Sequence, residues 1–241
     1  MEITKLRIGT LALVVLASAL LLGMMAQSAV ASIGLRIQPV KISQTLEPGD
    51  STKGVITLTN ESDRPVEVYV TVSDFVPMAG ADSIQFVDRV EGVTSVKDWI
   101  TVDEKAVFSF KVGETREIPY SIAAPLDAEP GGHFGAVFFK AVDAADESTL
   151  RIGTQVGMLV LIAIPGNHLQ KGEIRTFEAD TFVQKGPVSF EMQFENTGTV
   201  HFEPKGDIAI SNMFGKVIGH APVEGQVVLP TSIKTLVEHW N

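Results

Sequence analysis

The residues able to do chemistry are few and scattered. Five histidines, His133, His168, His201, His220 and His239, are the only imidazoles in 241 residues, and none stands within metal-ligand spacing of another. They read as surface or turn histidines. No H-E-x-x-H, no G-x-S-x-G elbow and no G-x-x-x-x-G-K-[ST] phosphate loop occurs; Gly49–Gly54 (GDSTKG) has the glycines without the order. Asp143, Asp146 and Glu147 cluster in an acidic stretch, and clustered loop carboxylates suit a hard cation. Their spacing fits no EF-hand, and a solvated loop is the simpler reading. Cysteine is absent. That removes disulfides, thiolate catalysis, Cys-ligated zinc, iron–sulfur clusters and the lipid anchor that needs a cysteine at the cleavage point. The sequence therefore assigns no catalytic residue, no metal ligand and no cofactor. It reads as a binding protein rather than an enzyme, with a hydrolase whose site hides in loops as the weaker alternative.

Three local features stand out. Pro130-Gly131-Gly132-His133-Phe134 places two glycines before an apolar run, as a tight corner feeding a central strand does, with a binding loop as the competing reading. Trp99 follows a loop and precedes Ile100-Thr101-Val102, the place of a core plug or, if exposed, of a ligand surface. Asn60-Glu61-Ser62 is a glycosylation sequon in a turn-rich stretch.

The elements that must position these residues are strands. Leu35–Ile42, Gly54–Thr59 and Val66–Phe75 alternate apolar and polar residues, with the turn composition Asn60–Pro65 between the last two. Val107–Val112, Gly113-Glu114 and Arg116–Ile122 read as a hairpin-like pair. Phe134–Val142 and Val156–Ile164 are nearly continuous apolar runs, as expected of central strands covered on both faces. Pro77–Asp98 holds one short strand at most, around Ile84–Val87. After Pro165-Gly166-Asn167 a second unit begins: Gly172–Phe182 and Val188–Glu195 alternate, and Asn212–Gly215 forms a hairpin turn before Val217. The fold class is all-β: two tandem Ig-like β-sandwich domains, 32–168 and 169–241, after an N-terminal signal peptide, 1–31. The second unit holds only about 70 residues where such a sandwich takes about 100. A truncated reading frame, a smaller sandwich and completion by a partner's strand all fit, and truncation is the expectation.

The N-terminus has three parts in order: the basic Met1–Arg7, the apolar Ile8–Met25, and Ala29-Val30-Ala31 as a small-residue cleavage site. Cleavage after Ala31 releases the chain outside the cytoplasm; retention of Ile8–Met25 tethers it to the membrane. The net charge is −10, which opposes binding to phosphate backbones and to anionic lipid surfaces. Nucleic acid is therefore excluded as a partner, and membrane contact is confined to Ile8–Met25.

Taken together, Glu47–Asp50, Gly54–Asn60 (GVITLTN), Pro65–Val70 (PVEVYV), Trp99-Ile100, Ala128–Phe139 (AEPGGHFGAVFF) and Gly153–Ile164 resemble the first domain of the WxL-interacting protein family. Phe194–Gly206 (FENTGTVHFEPKG) and Asp207–Val217 are similar to its second Ig-like domain. That resemblance implies an exported cell-surface protein whose first domain binds peptidoglycan and whose second binds host or partner proteins. Relatives in that family carry a C-terminal transmembrane helix with a basic tail, which this sequence does not show. The expected function is thus a non-enzymatic extracytoplasmic cell-envelope binding protein recognising peptidoglycan or a cell-surface protein. The alternative is an exported chaperone or assembly factor of the pilus-chaperone type. Val156–Ile164 and the incomplete second unit favour that alternative, while no basic pair is placed to anchor a client's C-terminus.

Overall fold

The computed structural model describes residues 34–90, 94–102, 107–145, 153–180, 183 and 186–241. The signal segment, Asp146 and Glu147 lie outside them. The first lobe is two facing sheets. One has the order β1 (Leu35–Gln38), β3 (Ser51–Asn60), β8 (Thr115–Ala123), β6 (Ile100–Val102). The other runs β2 (Lys41–Thr45), β10 (Gly153–Ile164), β9 (Gly131–Asp143), β4 (Val66–Pro77), β5 (Ile84–Val87), and β7 (Val107–Phe110) also pairs with β4. Pairing is antiparallel except between β2 and β10, which run parallel.

Alternation selects the faces, because successive strand side chains point to opposite sides. Ile56 and Leu58 of β3, and Ile118, Tyr120 and Ile122 of β8, meet Val137, Phe139 and Ala141 of β9 and Met158, Val160 and Ile162 of β10 in one core. Trp99, at the end of the single turn α1 (Val96–Trp99), plugs the same core. Phe134, Ala136 and Leu161 point the other way, and there Phe75, Ile84, Val227 and Leu229 cover them. The second apolar layer explains why β9 and β10 read as unbroken apolar runs.

The predicted hairpin about Gly113 is not one. β7 pairs with β4 and β8 pairs with β3 and β6, so the chain changes sheets at the turn. The corner is held by Asn60, whose amide Nδ2 donates to the carbonyls of Arg64 and Lys111 at 2.9 and 3.0 Å.

The second lobe has a three-stranded sheet, β11 (Gly172–Ala179), β12 (Val188–Asn196), β15 (Ile233–Trp240), and a hairpin of β13 (Gly206–Ser211) and β14 (Val217–Val223). Its bonding repeats that of the first lobe. Asn196 ends β12 as Asn60 ends β3, and its Nδ2 donates to the carbonyls of Val200 and Val228 at 2.8 and 2.9 Å. The N–H of Asn60 donates to Glu114 O and that of Asn196 to Ser232 O. Gly113 N–H donates to Asn60 O and Thr231 N–H to Asn196 O; both residues have positive φ, 70° and 62°. Leu35 faces Asn60 as Gly172 faces Asn196, and Val66 pairs with Phe110 as Phe202 bridges Val228. Thus β11, β12 and β15 stand where β1, β3 and β8 stand, and β13 continues the line that corresponds to β4.

Candidate functional site

The residues singled out for chemistry are not brought together. Among the described residues no group of three or more His, Asp or Glu side chains is placed to hold a metal ion. His168, His220 and His239 are exposed, as expected of surface histidines. His133 and His201 correct that expectation. His133 is buried, its Nε2 lies 2.7 Å from Glu129 O, and its ring packs 4.7 Å from that of Trp99. Asp143 pairs with Arg64 at 2.8 Å and accepts the Ala145 N–H, and together these hold its carboxyl below the usual carboxylate range, the backbone bond foremost. The sequon is structural: Asn60 is fully buried and its Oδ1 accepts the N–H and hydroxyl of Ser62, so it is inaccessible to a glycosyltransferase in the folded chain. Pro130–Phe134 forms the corner: Gly131 has φ 133°, and the Gly132 N–H donates to Thr199 O of the second lobe at 3.1 Å.

Where the lobes meet, the outer face of β9 and β10 lies against the 225–234 segment around a cleft of about 450 Å³. Leu159, Leu161, Phe75, Val227 and Leu229 line it. Two cations reach this cleft, and both are neutralised: Lys41 by Glu203 at 3.4 Å, and Lys234 by Asp82 at 2.9 Å. The cleft therefore offers no free basic pair. Beside it His201 joins the lobes. Its Nε2 lies 2.8 Å from Ser43 Oγ, its ring meets Phe134 edge to face, and its Nδ1 is buried without a partner. Burial first, and the nearby Lys41 charge second, lower its pKa to about 4, so the ring is neutral near pH 7.

The second lobe is open on one flank. β11 is an edge strand with all eight residues exposed. A bulge between Ile174 and Thr176 turns Ile174 and Phe177 to the same, inward face, opposite Phe194 and Met192. With Ile208, Val223 and Leu236 they line an apolar cleft of about 270 Å³ between the sheet and the hairpin. Ile174 and Phe177 remain 56% and 49% exposed although they face inward, so the hairpin does not reach under β11. β13 pairs with β14 along one edge, and no described strand pairs with its other edge.

Sequence reasoning missed His201 and this flank. Asn60 and Asn196 were not recognised as counterparts either: each caps its turn through a side-chain oxygen accepting the N–H two residues on.

The arrangement is that of a protein of β-sandwich, Ig-like class. No family model matches the sequence, and no curated protein does. Among solved structures the chain is similar to the SafB chaperone complex with SafA pilin from Salmonella enterica, at 15% identity over 86% of this chain and 85% of that one, TM-score 0.43. It is similar to the CsuC–CsuE chaperone–tip adhesion subunit pre-assembly complex of Acinetobacter baumannii, at 13% identity over 84% and 86%, TM-score 0.43. It is likewise similar to the class 5 fimbriae chaperone CfaA, at 12% identity over 86% and 84%, TM-score 0.42. At such identities the likeness is one of fold. The expectation of peptidoglycan recognition is corrected: these solved structures are of pilus and fimbrial chaperones, not of peptidoglycan binders. One sequence-based support for the pilus-chaperone alternative is corrected too. Val156–Ile164 is no strand free to be lent, because β10 is paired with β9 on one side and β2 on the other.

Proposed function

We propose that this protein is an exported, non-enzymatic binder of other polypeptides, a chaperone or assembly factor for cell-surface proteins. The observation that supports it is the surface of the second lobe. Ile174, Phe177, Met213, Phe214, Val217, Ile218 and Val237 are all exposed there, on or beside strands with an edge that no described strand pairs with. Apolar side chains gathered next to free backbone donors and acceptors are what an unfolded or extended polypeptide recognises. A soluble glycan would leave those side chains wet. Export rests on the leading segment Met1–Ala31, and no helix among the described residues is long and apolar enough to cross a membrane.

Aggregation of an unfolding exported β-sandwich protein, followed by light scattering, tests this reading. The purified protein is expected to suppress scattering near one-to-one stoichiometry, and Met213→Ser with Phe214→Ser, at the exposed hairpin tip, to weaken that suppression. Unchanged scattering at a several-fold molar excess contradicts it.

A further inference from the structure

The contact between the lobes has a small apolar part and a polar margin. Phe75, Phe134 and Leu161 of the first lobe meet Val227 and Leu229 of the second. Around that patch the Gly80 N–H donates to Thr231 O at 2.9 Å, and the Gly132 N–H to Thr199 O at 3.1 Å. Lys41 pairs with Glu203 and Lys234 with Asp82; ion pairs open to water hold weakly. Residues 165–171 join β10 to β11 and so connect the lobes, with Gly166 at φ 140°.

His201 is set into this contact. It lies between β12 and β13, and its ring reaches Ser43 of β2 and Phe134 of β9 in the first lobe. The surroundings fit a neutral imidazole. Nε2 shares a hydrogen bond with Ser43 Oγ at 2.8 Å, while Nδ1 is buried without a partner. An imidazolium carries an N–H on both nitrogens. Its Nδ1–H would be a buried cationic donor with no acceptor, which the contact does not tolerate cheaply. Of the charged groups that face the ring, Lys41 opposes protonation and Glu203 favours it, and Lys41 has the larger effect.

We infer that protonation of His201 releases the second lobe from the first as a unit, baring Phe75, Phe134, Leu161, Val227 and Leu229. This acid-driven release does not rest on the polypeptide-binding reading; it sets a condition under which further apolar surface is presented. Its size follows from linkage. The imidazole titrates at about 4 in the contact and at 6.5 when free, so the release equilibrium gains about twentyfold between pH 7 and pH 5.

Amide hydrogen exchange of the purified protein, followed by NMR and corrected for the intrinsic rate at each pH, tests this. The Gly80 and Gly132 amides report on it, since both are bonded across the contact. The window from pH 7 to 5 keeps clear of ordinary carboxylate titration. Both amides should lose protection by about twentyfold across it, while exchanging faster than the β9 and β10 amides throughout. His201→Gln should abolish the loss. Lys41→Met, at a half-exposed position, keeps the histidine and should shrink the loss, which leaves the test standing if the glutamine variant does not fold. Loss at Gly132 without loss at Gly80 means that the 197–205 segment lifts alone. Equal exchange at these amides and in β9 and β10 means that the chain unfolds. Either outcome overturns the inference, as does constant protection from pH 7 to 5 or a loss that either variant leaves unchanged.

Discussion

His201 shows how a single residue ties the lobes to pH. Its folded pKa, about 4, lies below the 6.5 of a free imidazole. The unfolded chain therefore takes up a proton first as pH falls, and stability is lost between about pH 6.5 and 4, with a ceiling of about 3 kcal/mol at about 1.4 kcal/mol per unit. Lys41 and Glu203 face the ring and act in opposite senses. In thermal melts from pH 7 to 4.5, His201→Gln should lose less stability than the parent; equal losses would remove the histidine from the account. The paired asparagines make a second test at this scale. Asn60→Ala and Asn196→Ala each strip hydrogen bonds from a fully buried corner, and each should lower stability in chemical denaturation by about 2–4 kcal/mol. Thr231 occupies with a β-branched side chain the positive-φ place that Gly113 fills in the first lobe. Thr231→Gly should therefore stabilise, by about 1 kcal/mol. None of these roles was legible in advance. Asn60 read as a sequon and His201 as a surface residue, because burial depends on what the distant segments 111–114 and 41–43 bring against them.

The strands themselves were largely legible. Period-2 alternation located β3, β4 and β12, the one short strand expected in Pro77–Asp98 is β5, and unbroken apolar runs marked β9 and β10 as central. Partnership was not. The turn at Gly113 looks like a hairpin in sequence because local composition cannot tell a two-strand loop from a corner between sheets; the Asn60 amide bonding to Lys111 O decides it. The same limit hid the open flank. Ile174 and Phe177 sit three residues apart, out of strand phase, and only the bulge beside Arg175 returns them to one face. The second lobe's thin core gives this scale its test. Leu236 is fully buried between sheet and hairpin, and Leu236→Ala should cost about 2–5 kcal/mol. Urea unfolding is expected to show that loss in the second lobe's transition, with β9 and β10 amides protected to higher denaturant. Simultaneous exposure of both lobes at lower denaturant would mean the thin core is no separate weakness.

At the scale of the molecule, the two lobes share a bonding pattern but differ in how much apolar surface the described residues bury. The first lobe buries both faces of its central strands, the outer one through Val227 and Leu229 of the second, so its apolar surface is spent on folding. The second lobe leaves Ile174, Phe177, Met213, Phe214, Val217, Ile218 and Val237 exposed, and no group of three or more His, Asp or Glu among the described residues is placed to hold a metal ion. The proposed binding of another polypeptide would use that exposed apolar surface. Hydrogen exchange of the whole protein, with and without an unfolded exported β-sandwich protein as client, tests this most directly. The account predicts slowing confined to the second lobe, at 172–179 and 206–218, with the first lobe unchanged. Slowing confined to the first lobe, or none anywhere while the client is demonstrably present and unfolded, would contradict it.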